Sequence, residues 1–125
     1  MITAKALPAN YQIAITGPTS RIIADAPVAK GGTGAGLRPH ELLEAALASC
    51  MAITLRMYAD KHNFVLPEFE VTITVNRDQP ERTIFEYALA WLGPIEPERA
   101  ERLAQLLERC AVRKTLEQEI SFQKV

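Results

Sequence analysis

The sequence is poor in cysteine and has no excess of charge of either sign. Its two cysteines, Cys50 and Cys110, belong to no CxxC pair and to no Cys/His quartet. That pattern gives no sign of a disulfide scaffold or of a closed zinc site. The formal net charge is -1, and no cluster of Lys and Arg gathers along the chain. A nucleic-acid partner is therefore not expected, because phosphate binding needs a basic face.

The sequence also shows no sign of a secretory signal or of a membrane span. Residues 1–8 lack the long apolar core and the cleavage motif of a signal peptide. The most apolar stretch, residues 42–55, contains Glu44 and would extend only about 21 Å as a helix, whereas a bilayer core needs about 30 Å. We therefore expect a soluble protein of the cytoplasm. In a reducing compartment, two lone thiols are either core residues or redox groups.

The 125 residues suit one domain, which we expect to cover residues 1–125. Three short extended runs open the chain at residues 2–7, 11–16 and 21–25, and turn-forming residues separate them. Residues 26–36 hold four glycines and a proline, which predicts a mobile loop. Their spacing does not match a phosphate-binding motif.

A long helix is predicted next, over residues 39–61. Pro39 suits its first position, because the fixed φ of proline fits a helix start. Between Leu42 and Leu55 the apolar residues occupy almost every face of this helix. A helix that is hydrophobic all round is expected to be buried all round.

In the second half of the chain, polar and apolar residues alternate with the periods of strands and of an amphipathic helix. Two strands are predicted at residues 69–75 and 85–91, joined by a polar loop at 76–81. A second helix begins near Pro97, followed by a short helical turn at 113–117 and a last strand at 119–124. The apolar stripe of this second helix is Leu103, Leu106, Leu107 and Cys110.

This order of elements predicts an antiparallel α+β fold with helices against sheet. One small sheet and one amphipathic helix cannot cover every face of the long helix. A second copy of the chain would cover the remainder, so the sequence predicts a homodimer with a shared core.

Two segments carry a resemblance to a known family. Residues 38–50 read R-P-H-E-L-L-E-A-A-L-A-S-C and resemble the P-x-E-L-L-x-A-A-L-A-S-C signature of the OsmC/Ohr family. Residues 108–116 read E-R-C-A-V-R-K-T-L and are similar to its C-P-V-x-K-T-L segment. A hairpin and a helix lie between the two segments in the family's order, so the likeness covers nearly the whole chain.

The resemblance implies an OsmC-like antiparallel sheet with a long buried central helix, in an intertwined homodimer whose active sites lie at the subunit interface. It also implies a thiol peroxidase that reduces small hydrophobic organic hydroperoxides. In family terms Cys50 is the peroxidatic cysteine, which becomes a sulfenic acid, and Cys110 is the resolving cysteine, which joins it in a disulfide. The implied reductant is a dithiol such as dihydrolipoamide, and no metal or organic cofactor is implied.

The proposed chemistry requires an activated Cys50. A free cysteine has a pKa of about 8.5, burial raises it, and the middle of a helix gains little from the macrodipole. The family supplies an arginine held by a glutamate. Here the position of that glutamate, ten residues before the first cysteine, is His40, and Glu41 follows it. Both are candidate site residues, and Arg21 or Arg38 is the candidate cation.

The second motif also departs from the pattern, because Ala111 stands where the family usually has proline. Basic residues flank Cys110 there, and they either lower its pKa or form a solvated helix end. These residues are Arg109, Arg113 and Lys114.

Each candidate also has a structural alternative. Both cysteines can pack as small hydrophobes, which would leave a non-catalytic dimeric module that binds an apolar ligand. Glu41 can be a first-turn acid favoured by the helix dipole, and His40 can be a surface residue.

Overall fold

The computed structural model describes residues 1–125 and divides into two compact units, Met1–Leu43 and Glu44–Val125. All strand pairs within both units are antiparallel, and a long helix is present, so the predicted α+β class is confirmed. The prediction of one domain over the whole chain stays a prediction.

The first unit contains a small meander of strands. Strand β1 (Thr3–Ala6), β2 (Ile13–Thr16) and β3 (Arg21–Ala24) pair in that order. All three predicted extended runs are confirmed, each with slightly narrower bounds. Two small residues, Ala14 and Ala24, form the buried part of this sheet.

A buried carboxylate fixes the glycine-rich segment that follows β3. Asp25 is only 2% exposed, and it accepts hydrogen bonds from the N–H groups of Ala26 at 2.7 Å, Thr33 at 3.0 Å and Ala35 at 3.2 Å. The Thr33 hydroxyl also donates to it, and this bond is the main cause that lowers the pKa of Asp25. Burial opposes that effect, and the three N–H groups add to it. The predicted loop at residues 26–36 is therefore held in place by hydrogen bonds to Asp25. It includes a 3-10 turn at Val28–Lys30.

Helix α1 spans Pro39–Lys61, as predicted. Its 23 residues extend about 35 Å, well beyond the apolar stretch recognised in the sequence. By length and composition alone this helix could cross a membrane, and 22% of its most apolar window is buried within the chain. The core helix of a soluble protein meets the same two criteria.

The second unit packs one side of α1 against a hairpin and a helix. Strands β4 (Phe69–Gln79) and β5 (Arg82–Trp91) pair antiparallel, and α2 spans Pro97–Leu106. The predicted loop at 76–81 is largely wrong, because β4 continues to Gln79 through a register irregularity. The residues after Asn76 are polar and their side chains are exposed, so the sequence there lacks the alternation of polar and apolar residues by which a strand is recognised.

The core of this unit joins α1 to the segment around α2. The buried stripe of α1 is Leu47, Met51, Leu55 and Ala59, which are spaced four residues apart on one side of a helix. The predicted stripe that ends at Cys110 is confirmed as its counterpart, and the buried residues of that stripe are Leu103, Leu106, Leu107 and Cys110. Apolar side chains from β4 and β5 surround both stripes.

The opposite side of α1 stays open within the single chain. Ile53 is 54% exposed and Met57 is 68% exposed. The single chain therefore does not bury every face of this helix, and the predicted homodimer stays a prediction. The predicted last strand at 119–124 is wrong for the single chain, which forms no strand there and exposes Phe122. A strand needs a neighbouring edge for its ladder bonds, and alternation alone does not supply one.

Gly36 offers a test of packing in the first unit. A Cβ at this position would lie 2.1 Å from the carbonyl oxygen of Ile23, so backbone has to move. We expect Gly36→Ala to reduce the free energy of unfolding by about 1–3 kcal/mol, measured by urea denaturation.

Gly17→Ala is the matched control, because the nearest atom to its Cβ would be the flexible Cδ1 of Ile2 at 3.3 Å. Its free energy of unfolding should change by less than about 1 kcal/mol. Equal unfolding midpoints for the two variants would contradict the packing described here.

Candidate functional site

The structure brings the two cysteines together. Cys50 lies in the middle of α1, and Cys110 lies between a 3-10 turn, Leu107–Arg109, and helix α3, Ala111–Leu116. Both cysteines are free thiols, Cys50 packs against the core cluster that contains Cys110, and each thiol shifts the pKa of the other. Two thiols far apart in sequence therefore form one site inside the second unit.

Local structure explains why the two sulfurs meet. Cys50 borders the buried stripe of α1, next to Met51, and is partly exposed. Cys110 adopts φ -55° and ψ 130°, an extended conformation that ends one helical segment and begins the next. This turn keeps Cys110 in the apolar core, where its exposure is 0%. One thiol is thus accessible from outside the chain and the other is not.

The environment of Cys50 favours its thiolate. Burial raises the pKa of Cys50, but the interactions with the Cys110 thiol and with the N–H groups of Val112 and Ala111 lower it, and the net direction is down. All of these groups are neutral. The Thr54 hydroxyl donates its proton to the backbone carbonyl of Cys50, with an oxygen–oxygen distance of 2.7 Å.

The environment of Cys110 has the opposite effect. Burial raises the pKa of Cys110, and the hydrogen bond to Cys50 and the charge of its thiolate raise it further. The N–H groups of Arg113 and Val112 offset only part of this rise. Of the two sulfurs, Cys50 therefore ionises more readily than Cys110.

The flanking basic residues do not lower the pKa of Cys110 by their charge. The Arg113 guanidinium donates from Nε to Oε1 of Glu117 at 2.8 Å and from Nη1 to the Tyr87 hydroxyl at 3.2 Å. The bond to Glu117 is the main cause that raises the pKa of Arg113 itself. The favourable contribution of Arg113 to Cys110 comes from its backbone N–H.

Glu41 holds Arg38 at the start of α1. Its carboxylate accepts from Nη2 of Arg38 at 2.6 Å, from Nε at 2.8 Å and from the backbone N–H of Arg38 at 2.7 Å. The backbone contact is half of a capping box, in which a third-position acid bonds the residue that precedes the helix. These contacts lower the pKa of Glu41, the side-chain bond from Arg38 most of all, with burial opposing.

The remaining candidates lie on the surface of the first unit. His40 occupies the first turn of α1 and is exposed. Arg21 is the first residue of β3, pairs with Thr16 across the sheet and is also exposed. Of the residues predicted for the site, the structure joins Cys50 to Cys110 and, separately, Glu41 to Arg38.

Sequence reasoning missed the three polar groups that act on Cys50. Thr54 is one helical turn after Cys50, a spacing that places the two side by side, so its position was readable. The N–H groups of Ala111 and Val112 carry no side-chain signal. The alanine in place of proline was the available hint, because proline has no N–H.

The arrangement suits nucleophilic thiol chemistry. A thiolate is the reactive form of cysteine, and neutral donors stabilise it inside a partly apolar site. A protonated second thiol in contact with it can react with an oxidised first sulfur. No group of three or more His, Cys, Asp or Glu side chains is arranged to hold a metal ion.

Known proteins share this architecture. A family model described as OsmC-like protein matches residues 32–124. A structure from Psychrobacter arcticus, described as an osmotic stress induced and detoxification response protein, is similar with a TM-score of 0.72 and 25% identity, over 92% of this chain and 88% of that one. None of the curated proteins matches the chain significantly.

Two further structures have the same fold at lower identity. The OsmC like protein from Mycoplasma pneumoniae has a TM-score of 0.69 and 20% identity, over 94% of this chain and 86% of that one. The organic hydroperoxide resistance protein OhrB of Bacillus subtilis has a TM-score of 0.65 and 21% identity, over 94% and 89%. These likenesses agree with the fold predicted from the sequence.

The opposite pKa shifts of the two thiols predict an order of alkylation. Because the pKa of Cys50 is lowered and that of Cys110 is raised, iodoacetamide should modify Cys50 first, and its rate should persist to lower pH. Cys110→Ala removes a donor to the thiolate, so the pKa of Cys50 should rise and its alkylation at neutral pH should slow by roughly tenfold. Mass spectrometry over a pH series measures both effects.

Cys110→Ser is the matched control, because its hydroxyl can still donate to Cys50. Its alkylation rate should lie nearer to that of the wild type. If the Ala and Ser variants alkylate Cys50 equally fast, the thiol hydrogen bond does not control its ionisation.

Proposed function

The chain belongs to the OsmC-like protein family, and on that premise we propose that it is a peroxidase that reduces organic hydroperoxides with the thiols of Cys50 and Cys110. The observation that carries the proposal is their contact, in which the accessible sulfur ionises more readily and the buried one less readily. Two similar structures, from Legionella pneumophila and Bacillus subtilis, are of organic hydroperoxide resistance proteins.

In the first step the Cys50 thiolate attacks an oxygen of the hydroperoxide. A sulfur–oxygen bond forms as the O–O bond breaks, so sulfur is oxidised to sulfenic acid and the hydroperoxide is reduced. The departing alkoxide takes a proton and leaves as an alcohol. The lowered pKa of Cys50 favours the thiolate before the attack.

In the second step the Cys110 sulfur attacks the sulfenic acid. A disulfide forms and water leaves, which requires that the sulfurs approach to about 2.05 Å. The packing of Cys50 against the core cluster that contains Cys110 supports this step. A dithiol of the dihydrolipoamide type then reduces the disulfide by exchange and closes the cycle.

The surroundings of the thiols favour a hydrophobic substrate. Cys50 packs against the core cluster of the second unit together with Val112 and several aromatic side chains. Apolar walls select ligands by shape and burial rather than by polar contacts. We therefore propose small hydrophobic hydroperoxides as the substrate class.

The active form in this proposal is a homodimer. Apolar side chains on the open side of α1, Ile53 and Met57, are more than half exposed in the single chain. A second copy would cover them, and interfaces of obligate dimers resemble a domain core cut in two. The exposed tail residues Ile120 and Phe122 are further apolar surface that a partner would bury.

Glu41 and His40 enter the proposal as supporting groups at the start of α1. Glu41 positions the guanidinium of Arg38, one residue after the position at which the family's pattern has its glutamate. His40 lies beside Glu41 in the first turn of α1, and we propose it as an orienting group there. We also propose a cytoplasmic location, which suits a pair of free thiols.

Peroxide consumption tests the proposal directly. Reduced wild-type protein with cumene hydroperoxide should lose two thiols per chain and form a Cys50–Cys110 disulfide. Cys50→Ser should lower the rate by roughly three orders of magnitude, because the nucleophile is gone. Cys110→Ser should complete one turnover and accumulate a sulfenic acid that dimedone traps.

A Cys50→Ser variant that consumes peroxide as fast as the wild type would end this proposal. Thiols that stay reduced in excess hydroperoxide would instead indicate the non-catalytic module that binds an apolar ligand.

Sedimentation tests the dimer. The chain has a mass of 13.8 kDa, and the wild type should sediment with twice that mass. Replacing Ile53 or Met57 by lysine would bury an unpaired charge, which should weaken association about a hundredfold or more. Val65→Lys is the matched control, because Val65 is 92% exposed and lies outside the helix. A monomeric wild type, or equal effects of all three variants, would contradict the proposal.

A further inference from the structure

The side chain of Arg113 connects three segments around Cys110. Arg113 lies on α3, and its guanidinium donates from Nη1 to the hydroxyl of Tyr87 on β5 at 3.2 Å. From Nε it donates to Oε1 of Glu117, the residue that ends α3, at 2.8 Å. Oε1 of Glu108, in the 3-10 turn before Cys110, lies 4.0 Å from Nη1. One side chain thus bridges the strand, the turn before Cys110 and the helix after it.

The contacts of Arg113 differ from those of an ordinary surface arginine. Its guanidinium carbon also lies 5.7 Å from the centre of the Tyr87 ring, within the range of a cation–π interaction. The side chain of Arg113 is 28% exposed, whereas that of Arg102, which pairs with one glutamate on α2, is 66% exposed. A planar guanidinium with several partners is held in one orientation. Arg113 is therefore a link between elements and not a solvated helix end.

The position of Cys110 depends on how α3 is held. The N–H of Cys110 donates to the carbonyl of Leu107 at 3.2 Å, and its carbonyl accepts from the N–H of Lys114 at 3.1 Å. A helix of six residues has little stability of its own. Its placement therefore rests on contacts with the rest of the unit, among which are the packing of Val112 on the core and the bonds of Arg113.

We propose that Arg113 is a positioning residue, which holds α3 on β5 through Tyr87 and thereby keeps the Cys110 sulfur oriented toward Cys50. The inference deepens the proposed function and rests on it for the step in which Cys110 attacks the Cys50 sulfenic acid, a disulfide forms and water leaves. A fixed orientation raises the effective concentration of one reacting group toward another. Loss of the link should therefore slow disulfide formation more than it slows the first attack by Cys50.

Three variants separate this role from a general effect on stability. Arg113→Lys keeps the charge but loses the fork of donors that reaches two partners at once. Tyr87→Phe keeps the ring and removes only the hydroxyl that accepts from Arg113. Arg102→Lys is the matched control, because Arg102 has the same side chain in an exposed pair away from the thiols.

The experiment treats the reduced full chain with oxidised glutathione and follows the products by mass spectrometry. The Cys50 thiolate attacks first, so that a mixed disulfide forms and one glutathione leaves. Cys110 then displaces the second glutathione, and the final equilibrium gives the effective concentration of Cys110 toward Cys50.

In Arg113→Lys this effective concentration should fall by roughly tenfold, and in Tyr87→Phe by a smaller factor, while formation of the mixed disulfide stays within about twofold of the wild type. Arg102→Lys should leave both quantities within about twofold. Near-UV circular dichroism checks the fold. An unchanged effective concentration in folded Arg113→Lys and Tyr87→Phe proteins would overturn the inference.

If Arg113→Lys misfolds, Tyr87→Phe decides the outcome alone, because it removes a single oxygen from a half-exposed side chain. The glutathione assay needs no hydroperoxide. A lowered effective concentration in a chain that never consumes peroxide would therefore refute the proposed function and leave this inference standing. Full peroxide turnover with an unchanged effective concentration would do the reverse.

Discussion

The contact between the thiols of Cys50 and Cys110 is the interaction on which the proposed site depends. It exists because the buried stripe of α1 packs against the segment that follows α2, which carries Cys110 into the core. Within that contact each thiol changes the other, since a shared proton favours one ionised sulfur and disfavours a second. The same packing that stabilises the unit thus assigns different properties to two chemically identical side chains.

Neutral hydrogen bonds can replace a cation at such a site because of where the sulfur lies. In a partly apolar environment a hydrogen bond to an ionised group is stronger than in water, and peptide N–H groups are fixed before the charge develops. A guanidinium brings a full charge but also a desolvation cost and a flexible side chain. Arg113, the arginine three residues after Cys110, has its charge engaged by Glu117 and Tyr87.

Much of this architecture could be predicted from the sequence, and the failures have physical causes. Helix α1 and the stripe that ends at Cys110 follow from helical periodicity, and the family motifs pointed to both cysteines. The strand predicted at 119–124 failed because alternation describes the faces of a strand but not the edge to which it must pair. The donors from Ala111 and Val112 were invisible because backbone groups are present in every residue. The hydrogen bonds between Asp25 and the glycine-rich loop were not predicted, because a single acid near several glycines is ordinary loop composition.

Cys50 occupies the border between the buried and the open sides of α1. Met51, the next residue, is fully buried, whereas Ile53, three residues on, is half exposed, and residues three or four apart are neighbours on a helix surface. Any surface that covered Ile53 would therefore lie beside the Cys50 sulfur and would exclude water from it. Exclusion of water raises the penalty for a thiolate but also strengthens each hydrogen bond that it accepts. The position of Cys50 on this border thus connects the apolar surface of α1 to the chemistry of the thiol.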